Sequence, residues 1–152
     1  QEELKSKLNS TESSLLEEIV GLSRLIESSR GNDMTQAEIF SSTKDLLDQS
    51  YTMLFKIPKL NELLDVVASS KNAVKAIREQ KAKILKDVQA NIEYVGEVVA
   101  EMQSIGSSNN NQEEVRKQLS IRLDAAKIFD GQLSALSSNM SAEQIAMYAK
   151  AS

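Results

Sequence analysis

Apolar residues recur three and four positions apart over nearly the whole chain, the spacing of amphipathic helices rather than strands. In the first segment the stripe reads Leu4, Leu8, Thr11, Leu15, Ile19, Leu22 and Ile26, with charged and hydroxyl residues on the other faces. It predicts a helix over 2–30, closed by Gly31 and followed by an Asn32-Asp33 turn. Thr35 to Glu38 forms a capping box that opens the second helix. From there the stripe runs Ile39, Thr43, Leu46, Ser50, Met53, Ile57, Leu60, Leu64 and Val67. Its phase survives Pro58, so the spacing predicts one helix over 35–68, kinked at Pro58 by the loss of a backbone donor. Small polar residues, Ser69 to Asn72, supply the turn. The rival reading turns at Pro58 and leaves one long helix from Leu60, which would overshoot its partners.

The third stripe is Val74, Ile77, Lys81, Ile84, Val88, Asn91, Val95, Val98, Met102 and Ile105, a helix over 72–105. The run Gly106 to Asn111 ends it. The fourth is Val115, Leu119, Arg122, Ala126, Phe129, Leu133, Leu136 and Met140, a helix over 112–150. Ser141 to Gln144 resembles a further capping box, so the last ten residues or so either continue that helix or form a short one. Matched lengths and short connections predict an all-α fold: a single antiparallel up-down-up-down four-helix bundle, 1–152. Heptads within each helix predict coiled-coil-like, shallow-angle packing.

Composition narrows the chemistry. The chain has 152 residues, no Cys, no His, no Trp, one Pro and five Gly. That length suits one core. Without Cys or His there is no disulfide, thiol nucleophile, imidazole-ligated metal or Ser-His-Asp triad. The Glu-x-x-His pattern of di-iron bundles is absent for the same reason. We therefore expect no catalytic residues, no metal and no cofactor, and read the chain as not an enzyme. A net charge of −4 argues against nucleic acid. The longest apolar run, Ile145 to Ala149, is far short of the roughly 20 residues of a membrane span. The chain opens on Gln1 and is read as an excised piece, joined to a membrane only through segments outside it.

Four polar residues interrupt the stripes: Thr43, Lys81, Asn91 and Arg122. Measured from the Gly31 turn, Thr43 and Arg122 lie about 14–15 Å down the bundle, with Asn91 slightly lower and Arg24 in the same layer. Ser42 and Tyr94 flank that layer. Arg24, Thr43, Asn91 and Arg122 are the candidate ligand site: a guanidinium to fork onto a carboxylate, with hydroxyl and amide to orient it. Against this, Arg side chains snorkel from bundle seams, and lone polar seam residues fix register. Thr43 and Ser50 also read as small core-lining residues, and Lys81 shows no polar layer around it.

Extra apolar residues beside the stripes, Leu16, Leu25, Phe40, Leu47, Leu54, Ile92, Val99, Leu123 and Ile128, suggest a weak parallel homodimer. An even number of antiparallel helices brings both ends of the chain together, which suits insertion between two membrane-spanning helices. In this the chain resembles the extracytoplasmic four-helix-bundle sensor domains of bacterial chemoreceptors, the methyl-accepting chemotaxis proteins, and of sensor histidine kinases. The resemblance is architectural and covers the whole chain. It implies a periplasmic or extracellular portion of an inner-membrane protein, dimeric, that binds a small solute and passes a helix shift across the membrane. The alternative is a structural or interaction module, a helical bundle or coiled coil with no small ligand, part of a secreted or scaffold protein.

Overall fold

The computed structural model describes residues 2–28, 34–103 and 109–139. The fold is all-α, and no strand occurs among the described residues. The helices are α1 (Glu2–Ser6), α2 (Ser10–Ser28), α3 (Met34–Phe55), α4 (Ile57–Val66), α5 (Lys71–Gln103) and α6 (Asn109–Asn139). The turns placed at Gly31 to Asp33 and near Gly106, and the segment from Met140 onward, lie outside the described residues.

The first predicted helix is two. Lys7 to Asn9 interrupt it, and Asn9 caps α2. The Asn9 side-chain oxygen accepts the Glu12 N–H at 2.8 Å, and the Glu12 carboxylate accepts the Asn9 N–H at 3.2 Å and its Nδ2 at 2.8 Å. This is a capping box at a position where apolar spacing alone predicts a continuous helix. It rotates the local face: Glu12 is buried, and Thr11, a seam residue by spacing, is exposed. At the start of α3 the helix already includes Met34, one residue ahead of the Thr35 capping box, and α6 begins at Asn109 rather than 112.

The second predicted helix breaks at Lys56, whose N–H reaches the Met53 carbonyl at 3.1 Å in a tightened turn. Pro58 sits in the first turn of α4, where a missing N–H costs nothing. The Lys56 ammonium ties this break to α6. It pairs with the Asp130 carboxylate at 2.6 Å and donates to the Ser134 hydroxyl at 2.8 Å. Residues 67–70 then turn the chain: the Ser70 N–H donates to the Val67 carbonyl at 2.8 Å, and the Ser70 hydroxyl accepts from the Ala73 N–H.

The core follows the stripes. Ile39, Leu46, Met53, Ile57, Leu60, Ile77, Ile84, Val88, Val95, Leu119, Phe129 and Leu133 are all buried. Beyond the α3–α4 break the stripe keeps its phase at Ile57, Leu60 and Val67; Leu63 is buried beside it and Leu64 is half-buried against the core. Among the extra apolar residues, Leu16, Phe40, Leu47, Leu54, Ile92 and Val99 are also buried, while Leu25 and Ile128 stay exposed. Most of the apolar surface that suggests a dimer is therefore used inside the chain.

α3 is the hub, packing on α2, α5 and α6. The Glu27–Lys44 ion pair fastens α2 to α3. Ser50 with Asn91, and Asn61 with Lys81, pair α3 and α4 with α5 in opposite senses. The most extensive contact joins α3 to α6. Glu38 meets Arg116 and Lys56 meets Asp130, so these two helices run in the same sense.

Candidate functional site

Two of the four candidate residues meet. Asn91 on α5 and Arg122 on α6 line one cleft of about 220 Å³, with Met53 of α3 on its wall. Small side chains open it: Ala90 on α5 and Ala125 and Ala126 on α6 leave room that larger residues would fill. Lys83 and Asp87 complete the rim, 2.9 Å apart as an ion pair one helical turn long. The Lys83 ammonium also sits 4.5 Å from the centre of the Phe129 ring.

The Arg122 guanidinium rests over an aromatic neighbour, its central carbon 4.3 Å from the Tyr94 ring centre. Such a contact holds a cation without consuming its hydrogen-bond donors. The Arg122 Nε is closed off from solvent and has no hydrogen-bond partner among the described residues. Asn91 is buried and spends one amide hydrogen on the Ser50 hydroxyl, at a long 3.5 Å. Lys83 and Arg122 against Asp87 leave the cleft with one excess positive charge. Burial pushes the Tyr94 phenol above its ordinary pKa, Arg122 opposes that rise, and Glu114, Glu101 and Glu97 add to it.

The other two candidates stand apart. Thr43 is fully buried, and its hydroxyl donates to the Phe40 carbonyl of its own helix at 2.7 Å. Ser50 does the same to Leu46 at 3.0 Å. Both hydroxyls satisfy themselves locally and line the core. Arg24 is exposed and lines a separate cleft with Glu27, Lys44 and Asp48, between α2 and α3. Ser42 faces a third cleft with Glu38, Glu113 and Arg116, between α3 and α6. Shared height along the helices places these residues in one layer; it carries no information about which side of α3 each helix occupies.

One polar cluster has no counterpart in the apolar spacing. Glu12, with a side chain only 1% exposed, meets the Lys81 ammonium at 3.4 Å, and Lys81 also donates to the Asn61 side-chain oxygen at 3.0 Å. Lys81, expected to lack a polar layer, thus has one drawn from α2 and α4. The signal that points to it is Asn9-x-x-Glu12, a capping box that starts a new helix and turns Glu12 inward.

No described helix is long and apolar enough to cross a membrane. Comparison with known proteins gives no family: no protein-family model, no curated protein and no solved structure matches this chain.

Proposed function

We propose that the chain is an up-down-up-down four-helix bundle that serves as the extracytoplasmic ligand-sensing domain of a bacterial transmembrane receptor. Its ligand is a small anionic solute, held at Arg122 and Asn91 in the cleft between α3, α5 and α6. Arg24 and Thr43 take no part in that site. The carrying observation is Arg122: a guanidinium braced on Tyr94, with an enclosed Nε lacking a partner among the described residues, beside an amide in an open cleft. A planar fork so placed is suited to a carboxylate. The opposite senses of α3 and α5 and the shared sense of α3 and α6 support this reading.

The test is a thermal-shift screen of small mono- and dicarboxylates, succinate and malate among them. A ligand at one hundred times its Kd stabilises by about 2.7 kcal/mol. For a domain of this size that is a rise of about 5–10 °C in Tm. Arg122→Ala should abolish the shift with the fold intact, and Arg122→Lys should weaken it, since an ammonium lacks the fork.

A second reading, a structural or interaction module, is favoured by α6. Ile121 and Ile128, seven residues apart on one face, are 51% and 64% exposed. If no acid raises the Tm and Arg122→Leu stabilises the chain, that reading replaces the first.

A further inference from the structure

The longest described helix, α5, carries its charges in two blocks. Residues 71–86 hold Lys71, Lys75, Arg78, Lys81, Lys83 and Lys86 against Glu79. Residues 87–103 hold Asp87, Glu93, Glu97 and Glu101 and no cation. This order does not serve the helix that carries it. Cations at a helix start and carboxylates at its end gain nothing from the macrodipole. Segregation also forgoes the i,i+4 ion pairs that support a helix; Lys83–Asp87, at the boundary, is the one formed within α5 among the described residues.

Two of the cations are used inside the chain, Lys81 by Glu12 and Lys83 by Asp87. The others point outward. Lys71, Lys75, Arg78, Lys86, Glu93 and Glu97 are all exposed and follow one another at helical spacing along a single outer face, with Ala82 and Gln89 between them. Lys75, Arg78, Glu93 and Glu97 have no ion-pair partner among the described residues; Glu93 accepts only the Gln89 amide, at 3.4 Å. One half of this face is therefore the electrostatic complement of the other half.

We infer that the face binds a second copy of the same chain, with the two α5 helices antiparallel. In a twofold pair residue i meets j and j meets i. Lys75 lies opposite the partner's Glu97 and Arg78 opposite the partner's Glu93, and each pairing occurs twice. Lys75 and Arg78 are three residues apart and Glu93 and Glu97 four, so one register serves both. A parallel pair would set Lys75 on Lys75 and Glu97 on Glu97 instead. Lys86 falls at the twofold axis and meets its own copy, a repulsion that limits affinity. Exposed ion pairs each contribute little, and one helix face is a small interface, so the pair is weak and transient. It joins molecules lying end over end, not neighbours side by side in one membrane. None of its residues lines the Arg122 cleft, so the two sites can fail separately.

The experiment is sedimentation equilibrium of the whole chain up to about millimolar concentration, at low salt and at about 1 M salt, where the Debye length is only about 3 Å. The parent should dimerise reversibly at low salt and about tenfold more weakly at high salt. Lys75→Glu with Arg78→Glu should leave a monomer. Adding Glu93→Lys and Glu97→Lys exchanges the two blocks and should restore the dimer to within about threefold of the parent. Lys86→Gln in the parent should tighten it. All the substituted side chains are exposed, so every variant should keep the parent's circular dichroism. Restoration reads the pairing itself, because a damaged surface broken by two substitutions is not repaired by two more. Mixed with the parent, the fourfold variant should form no hybrid pair, since antiparallel contact then sets like charge on like. A parent that stays monomeric at low salt overturns the inference, as does a dimer that salt leaves unchanged or strengthens. So does a folded fourfold variant that stays monomeric, or one that prefers the parent to itself. A monomeric parent retained on phosphatidylglycerol vesicles overturns it too, and gives the cationic block to an anionic surface.

Discussion

Lys81 on α5 and Arg122 on α6 occupy equivalent places in their stripes, each a cation on an apolar seam. Their surroundings differ. Lys81 is met by Glu12 from α2 and by Asn61 from α4, and Glu12 is itself held by Asn9. Every group in that cluster has a partner inside the chain. Arg122 is met by a ring face, and its enclosed Nε has no acceptor among the described residues. The seam position alone does not decide whether a cation is structural or available. What decides is the acceptor that a neighbouring helix brings to it. Desolvating a charge is tolerated where pairing offsets it, and an incompletely paired group is the one left to recruit a ligand.

The sharpest way to break this contrast is at Glu12. Glu12→Ala removes both the acceptor for Lys81 and half of the capping box. Loss of one partner of a fully buried pair costs about 3–5 kcal/mol. Lys81 retains some access to water, its side chain being 24% exposed, so about 2–3 kcal/mol is expected by urea denaturation. A double-mutant cycle with Lys81→Met should give a coupling of about 1 kcal/mol or more. A cost below about 0.5 kcal/mol would mean that the cluster is not holding α2 to α5, and the distinction from Arg122 would collapse.

The stripes carry most of the core. Leu46, Met53, Ile84, Val95 and Leu133 are buried as their spacing requires, because burial on a helix follows a fixed period. Errors enter where the period is interrupted. The Asn9 cap turns Glu12 inward, whereas the stripe crosses the break at Lys56 in phase, burying Ile57, Leu60 and Val67 and adding Leu63. The Asn9 interruption is made by capping bonds that alter phase without altering composition. The candidate site is half legible for a related reason. Asn91 and Arg122 meet because both sit on seams of adjoining helices. Arg24 enters by height alone, and periodicity along one helix is silent about which helices adjoin. The same silence hides the contact between α3 and α6, which joins segments distant in sequence and is marked at its surface by the Glu38–Arg116 pair.

A smaller effect separates the two cations directly. Lys81→Met strands Glu12 with only its own cap donors and should cost about 1–2 kcal/mol. Arg122→Met gives up a contact with Tyr94 worth about 0.5–1 kcal/mol, and removes an enclosed donor whose missing partner costs a similar amount. The net change should fall within about 0.5 kcal/mol of zero, on either side. Paired urea melts check this. Equal losses in the two variants would show that the fold relies on Arg122 as much as on Lys81, leaving no reason to reserve it for a ligand.

The smallest effect is in the titration of Tyr94. Burial raises its pKa by disfavouring the phenolate, while the Arg122 cation pulls the other way. Replacing Arg122 by Met removes the opposing charge, so the phenol should titrate at still higher pH. The near-ultraviolet absorbance of tyrosinate reads this, with Tyr94→Phe subtracted to isolate the one ring. The linked effect on stability has a definite sign. In the unfolded chain the phenol loses its proton near pH 10, whereas the folded chain holds it longer. Between those two pKa values the unfolded state binds fewer protons, so stability falls as pH rises. The contribution from Tyr94 is complete below about pH 10 and is lost above it, as the folded pKa is passed. Arg122→Met should therefore steepen the alkaline loss of stability, and adding Tyr94→Phe should cancel that change. An Arg122 variant whose tyrosinate titration overlays that of the parent would show that the guanidinium does not rest on the ring. The cleft would then lose the brace that holds its cation ready.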